Sequence, residues 1–165
     1  MIEFIFRSMN DIPFLEITKP SSGSDFLYGL TRRHIKYVYR KSIKIGDIPN
    51  NVTNLHYSLN KPLTIGVIPN SVTRLIFCGD FNQPLEVGVI PESVRHLYFL
   101  DNFNQPLTYG VIPNSVKHLM FGTIFNQPLE AGVIPNSVTH LRFGESFNQP
   151  LTNQFIALSR LIVLK

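Results

Sequence analysis

The sequence predicts a mainly β repeat solenoid in which coils of about 22 residues stack their strands into one parallel sheet. Three observations carry this. Phe-Asn-Gln-Pro-Leu stands at 81–85, 103–107, 125–129 and 147–151, a constant step of 22 residues. Ile-Pro stands at 48–49, 68–69, 90–91, 112–113 and 134–135, with the last three steps again 22. Between these marks, Leu75 and Phe77 alternate with Arg74 and Ile76, and the pattern returns at Leu97/Phe99, Leu119/Phe121 and Leu141/Phe143.

Alternation with period two is the mark of a strand whose two faces meet different surroundings. Two apolar residues per coil make no core alone. Stacked at about 4.8 Å, each Leu and Phe lies over its counterpart and the column becomes continuous. Phe81, Phe103, Phe125 and Phe147, with Leu85, Leu107, Leu129 and Leu151, fill the other side of that core. Proline lacks an amide donor, so Pro84 and Pro69 and their copies lie outside the strands. Gly66, Gly88, Gly110 and Gly132 mark a recurring bend. Few residues remain for helix. Seven parallel strands are expected, centred near Ile35, Leu55, Leu75, Leu97, Leu119, Leu141 and Leu161, and parallel crossovers make a right-handed coil the expectation.

The repeat weakens toward both ends, as end coils facing solvent or a cap require. The first two coils are two residues shorter, in the turn after the strand. The expected organisation is an amino-terminal β cap over residues 1–33 and the solenoid over 34–165. Leu161, Ile162, Val163 and Leu164 read as a last, apolar strand whose outer edge would offer unpaired backbone groups. A homodimer through that edge is one reading of how the chain associates; a monomer whose final strand frays or is too short to template pairing is the alternative.

Asn60, Asn82, Asn104, Asn126 and Asn148 hold one place in every coil, between apolar residues. An asparagine there needs partners for its carbonyl and amide. The reading is a structural asparagine ladder, each side chain bonding backbone of its own coil and the next. A turn residue satisfied by water is the plainer alternative.

The chain has 165 residues, 44% hydrophobic, with a net charge of +4. That composition supports one folded domain and excludes a disordered polymer. No apolar run reaches the roughly 18 residues of a membrane helix, and residues 1–13 lack the pattern of a secretory signal. Cys78 is the only cysteine, so no intramolecular disulfide forms and a reducing, cytoplasmic location is expected. Asn51-Val52-Thr53 is a formal glycosylation sequon without an export signal beside it.

No phosphate loop, Cys-x-x-Cys or His-Glu-x-x-His occurs, and the 11 acidic residues do not cluster. No catalytic residue, metal site or cofactor is expected, and the chain reads as a protein that is not an enzyme. One surface set is distinctive. The outward position before each strand Leu reads His34, Asn54, Arg74, His96, His118, His140 and Arg160; the next outward position reads Lys36, His56, Ile76, Tyr98, Met120, Arg142 and Ile162. Repeat duplication alone would copy a histidine into a column. The functional reading is a partner-binding surface of Arg74, Ile76, His96, Tyr98, His118, Met120, His140 and Arg142, in which basic groups and exposed apolar ones adjoin and suit an acidic protein. Repulsion among close imidazoles would lower their pKa values.

Phe81-Asn82-Gln83-Pro84-Leu85 and its copies, the Ile-Pro pairs, and the Phe-Gly-x-x-Phe-Asn form at 121–126 and 143–148 resemble the FNIP-repeat family, a relative of the leucine-rich repeats. The chain has Gln where the family name has Ile, and no Gly after Phe77 or Phe99. The resemblance covers roughly residues 34–165 and implies a leucine-rich-repeat-like solenoid. The family abounds in slime-mould amoebae and giant DNA viruses, so a viral chain would work in the host cytoplasm. Many members carry an amino-terminal F-box, and residues 1–33 show no three-helix F-box pattern. The function expected is a protein-interaction scaffold. The alternatives are a substrate-recognition adaptor for a ubiquitin ligase, and binding of a polyanion such as nucleic acid, for which the charge is weak.

Overall fold

A computed structural model describes residues 43–150 and four short strand segments outside them, at 27–28, 34–35, 37–38 and 162–164. Strand β1 (Leu27–Tyr28) pairs antiparallel with β3 (Tyr37–Val38). The main sheet is parallel throughout and ordered β2 (His34–Ile35), β4 (Asn54–Tyr57), β5 (Arg74–Phe77), β6 (His96–Phe99), β7 (His118–Phe121), β8 (His140–Arg142) and β9 (Ile162–Leu164). The remainder of the expected cap over 1–33 lies outside the described residues.

Register follows the repeat. Asn54, Leu55, His56 and Tyr57 sit beside Arg74, Leu75, Ile76 and Phe77, and those beside His96, Leu97, Tyr98 and Phe99. The step is 20 residues into β5 and 22 after it, because one residue, Ser58, separates Tyr57 from Leu59, whereas three separate Phe77 from Phe81. Two expectations need correction. The described solenoid has five strands, β4 to β8, in place of seven comparable ones; β2 and β9 extend the ladder as backbone segments of two and three residues. The end coils lack the full motif that fixes a coil. The last strand is also centred on Val163, which pairs with Leu141, and not on Leu161. The 22-residue period continues there, so Ile162, not Arg160, holds the register position after His140.

The core is a stack of columns, with no polar or charged residue buried among the described ones. Phe77, Phe99, Phe121 and Phe143 stack face to face at 5.3–5.6 Å, with planes inclined by 7–8°. Phe81, Phe103, Phe125 and Phe147 form a second column at 5.9–6.1 Å. Each strand Phe also lies 3.9–4.3 Å from the turn Phe of its own coil. Leu85, Leu107 and Leu129, with the Val-Ile pairs at 67–68, 89–90, 111–112 and 133–134, close the far wall. The return path consists of turns, bends and extended backbone, with no helix among the described residues.

Candidate binding surface

The outward face of the sheet collects the residues singled out in the sequence. Parallel register sets Arg74, His96, His118 and His140 in one row and Ile76, Tyr98, Met120 and Arg142 in the next. The three imidazoles are stacked. His96 and His118 have centroids 4.6 Å apart at 14°, and His118 and His140 4.3 Å apart at 10°. Tyr98 meets His96 edge to face at 6.4 Å, and Thr139 Oγ1 is hydrogen-bonded to His140 Nδ1 at 2.9 Å.

Ring spacing grows through the molecule, from 4.3–4.6 Å for the imidazoles to 5.3–5.6 Å for the strand phenylalanines and 5.9–6.1 Å for the turn phenylalanines. Adjacent strands are held at about 4.8 Å by their hydrogen bonds. Coils that are closer on one side than the other describe an arc, and the histidine row lies on its concave side.

Burial pushes the His96 pKa down to about 4, with Arg74 and then His118 adding to the effect. His118 is lowered by burial first, then by His140 and Arg74. The direction matches the expectation from repulsion, but partial desolvation is the larger cause. At neutral pH these two imidazoles are therefore uncharged, and Arg74 and Arg142 bring positive charge to the face. Ile76 corrects a third expectation: it is 2% exposed, because His56 and Tyr98 in the adjacent strands flank it. Tyr98 and Met120 are half-buried. Burial raises the Tyr98 pKa, with Arg74 opposing. The apolar part of the face is thus Tyr98 and Met120.

The asparagines form a lateral seam. Asn82 Oδ1 accepts from the Asn104 backbone N–H at 2.9 Å and from Gln105 Nε2 at 3.0 Å. Asn104 does the same for Asn126 and Gln127 at 2.9 and 3.1 Å, Asn60 for Asn82 and Gln83, and Asn126 for Asn148 and Gln149. Asn82, Asn104 and Asn126 are half-buried, and Asn60 and Asn148 exposed, so the seam lies at the flank of the core and not inside it. The glutamine of each motif is the partner that sequence reasoning left without a role. Its signal was present, since Gln follows Asn in every full copy.

Cys78 is half-buried, with Sγ 3.9 Å from the Tyr57 carbonyl. Burial, then Asp101, pushes its thiol up to about 11, opposite to the activation a nucleophile needs. Among the described residues no group of three His, Cys, Asp or Glu is placed to hold a metal ion. The proposed edge residues Leu161–Leu164 are described only as backbone at 162–164, paired with β8.

This repeat geometry matches a known family model. Residues 39–80, 81–123 and 125–156 fit the FNIP repeat. The chain belongs to the FNIP-repeat family. The FNIP chain is also similar to a solved structure, CroV588, a circular leucine-rich-repeat protein of a giant virus. The two share 42% identity with a TM-score of 0.64, over 71% of this chain and 17% of that one. This FNIP protein therefore spans only a small part of the length of that relative. No curated protein matches it.

Proposed function

We propose that this FNIP-repeat chain is a non-enzymatic scaffold whose protein partner docks on the concave outward face of the sheet. The observation that supports this most is the stacked row His96–His118–His140 beside Tyr98 and Met120, with Arg74 and Arg142 at its ends. Half-buried aromatic and thioether side chains next to arginine are the composition of interface cores. Strands β4 to β8 carry no carboxylate on this face, and Arg74 and Arg142 give it the charge that suits an acidic partner. CroV588 is circular, and the splay of the coils in this chain suits an arc of the same kind.

Cross-linking in host cytoplasm, followed by mass spectrometry, would locate the contact. Cross-links concentrated on the strand face, lost in a Tyr98→Ala/Met120→Ala double variant that melts like the parent, are the expected result. Cross-links confined to the turns would sink the proposal. A gel shift with nucleic acid that falls steeply with salt would favour the polyanion reading in its place. No helix among the described residues is long and apolar enough to cross a membrane, and a cytoplasmic site of action belongs to the same proposal.

A further inference from the structure

A second outward column runs along the bend of each coil, away from the strands. It consists of the residues before the positive-φ glycines Gly46, Gly66, Gly88, Gly110 and Gly132 that mark this bend: Ile45, Ile65, Val87, Tyr109 and Ala131. The first four are 71%, 60%, 57% and 75% exposed. The glycines hold them in line. A Cβ on Gly66 would meet Ile45 at 3.4 Å, one on Gly88 would meet Ile65 at 3.5 Å, one on Gly110 would meet Val87 at 3.5 Å, and one on Gly132 would meet Tyr109 at 3.0 Å. Each side chain thus lies across the glycine of the following coil. The result is a continuous apolar strip on the surface, and such strips in soluble proteins mark contacts.

The residues that precede this column say what covers it. They read Lys44, Thr64, Glu86, Thr108 and Glu130, all exposed. The order is nearly self-complementary about the coil of Glu86 and Val87. A second copy laid antiparallel on the strip would set Lys44 against Glu130, Thr64 against Thr108, Ile65 against Tyr109 and Val87 against itself. Shape agrees with charge. An open cavity of about 510 Å³ lies between the first two of these bends, with Ile45, Gly46, Gly66 and Ile68 on one part of its wall and polar Asn50 and Asn70 on another. Apart from Gly46 and its two chain neighbours, no described residue comes within 4 Å of a Cβ placed on Gly46. The antiparallel copy brings Tyr109, 75% exposed, against Ile65, next to the Gly66 wall of that cavity. A twofold axis requires this reciprocity, in which residue i meets j and j meets i.

We propose that this column is a homodimer interface, with a second copy of the chain packed antiparallel about a twofold axis at Val87. The contact is independent of the strand-face docking proposed above and leaves that face free. It has one unfavourable element: Glu86 meets its own copy at the axis, where like charges weaken association.

Analytical ultracentrifugation of the full chain tests it. The wild type is expected to dimerise at micromolar concentration, and Tyr109→Glu and Val87→Glu to sediment as monomers while melting as the parent does. Glu86→Gln should tighten the dimer several-fold. Lys44→Glu and Glu130→Lys should each weaken it several-fold, and the two together should restore it. All three charged side chains are exposed, so folding is not at stake. A wild-type monomer at about 100 µM would overturn the proposal, since a specific dimer of this kind is expected well below that concentration. So would a dimer that Tyr109→Glu leaves intact, or a charge-swapped double variant no tighter than either single one.

Discussion

The imidazoles of His118 and His140 stack with centroids 4.3 Å apart and planes inclined by 10°. Parallel register alone brings them there, since His118 pairs with His140 across adjacent strands. The same register continues to His96, and the row meets Arg74 at its far end.

This row makes stability depend on pH. The His96 pKa is lowered from 6.5 to about 4, and His118 is lowered as well. Above about 6.5 neither folded nor unfolded chain protonates these rings. Between there and about 4 the unfolded chain binds protons that the folded chain refuses, so stability falls as pH falls through that window. Denaturant titrations at stepped pH should show the loss, and a His96→Phe variant should flatten part of it. An NMR titration that placed His96 at or above 6.5 would contradict this account.

Arg74 gives the electrostatic share of that shift separately. It is the second cause for His96 and the third for His118. Arg74→Leu should raise the His96 pKa and raise His118 by less. Equal movement of both, or none, would show that the arginine does not act on the row by proximity.

Much of this arrangement was legible in the sequence. Repeated Leu-x-Phe fixed the register from Leu55 to Leu141, because each strand carries a polar marker on its outward face. Leu161-Ile162-Val163-Leu164 carries no such marker, so a shift of two residues preserves the apolar alternation, and the strand centre fell on Leu161 instead of Val163. The burial of Ile76 was not legible, since it depends on the sizes of His56 and Tyr98 in the flanking strands. Nor was the main cause of the low histidine pKa values, because partial desolvation is a property of the stacked face and not of any one coil.

The asparagine seam predicts a measurable coupling. Asn126 Oδ1 accepts from Asn148 N at 3.1 Å and Gln149 Nε2 at 3.1 Å. Asn126→Leu removes that shared acceptor and strands the Asn148 N–H, while Gln149 Nε2 keeps the Asn126 backbone carbonyl at 3.2 Å; the loss should be about 1–3 kcal/mol, toward the low end where water reaches the freed N–H. Removing Gln149 as well should be less than additive in a double-mutant cycle. Additive losses would mean that the two side chains do not share the bond.

Gly122 is held by close packing and not by its dihedral angles. A Cβ there would lie 2.9 Å from the Asp101 amide nitrogen and the Leu100 carbonyl carbon. Both are backbone atoms, which cannot swing aside. Gly122→Ala should destabilise by about 1–3 kcal/mol through overpacking. A thermal midpoint unchanged by that substitution would show that the turn widens freely.

The serines before the core valines offer a comparison within one molecule. Ser93 Oγ donates to the Val72 carbonyl and Ser115 Oγ to the Val94 carbonyl, each at 2.7 Å. Ser137 holds the same place in the next coil, yet its buried hydroxyl finds no hydrogen-bond partner among the described residues. Ser115→Ala therefore removes a made bond and should cost about 0.5–1.5 kcal/mol. Ser137→Ala removes a hydroxyl that is desolvated without compensation, so it should be neutral or mildly stabilising. Because the sequence around the two serines is nearly the same, helix or strand propensity cannot produce the difference. Equal losses at both positions, measured by chemical denaturation, would show that Ser137 makes the bond its neighbours make and that the repeat is uniform through the fifth coil.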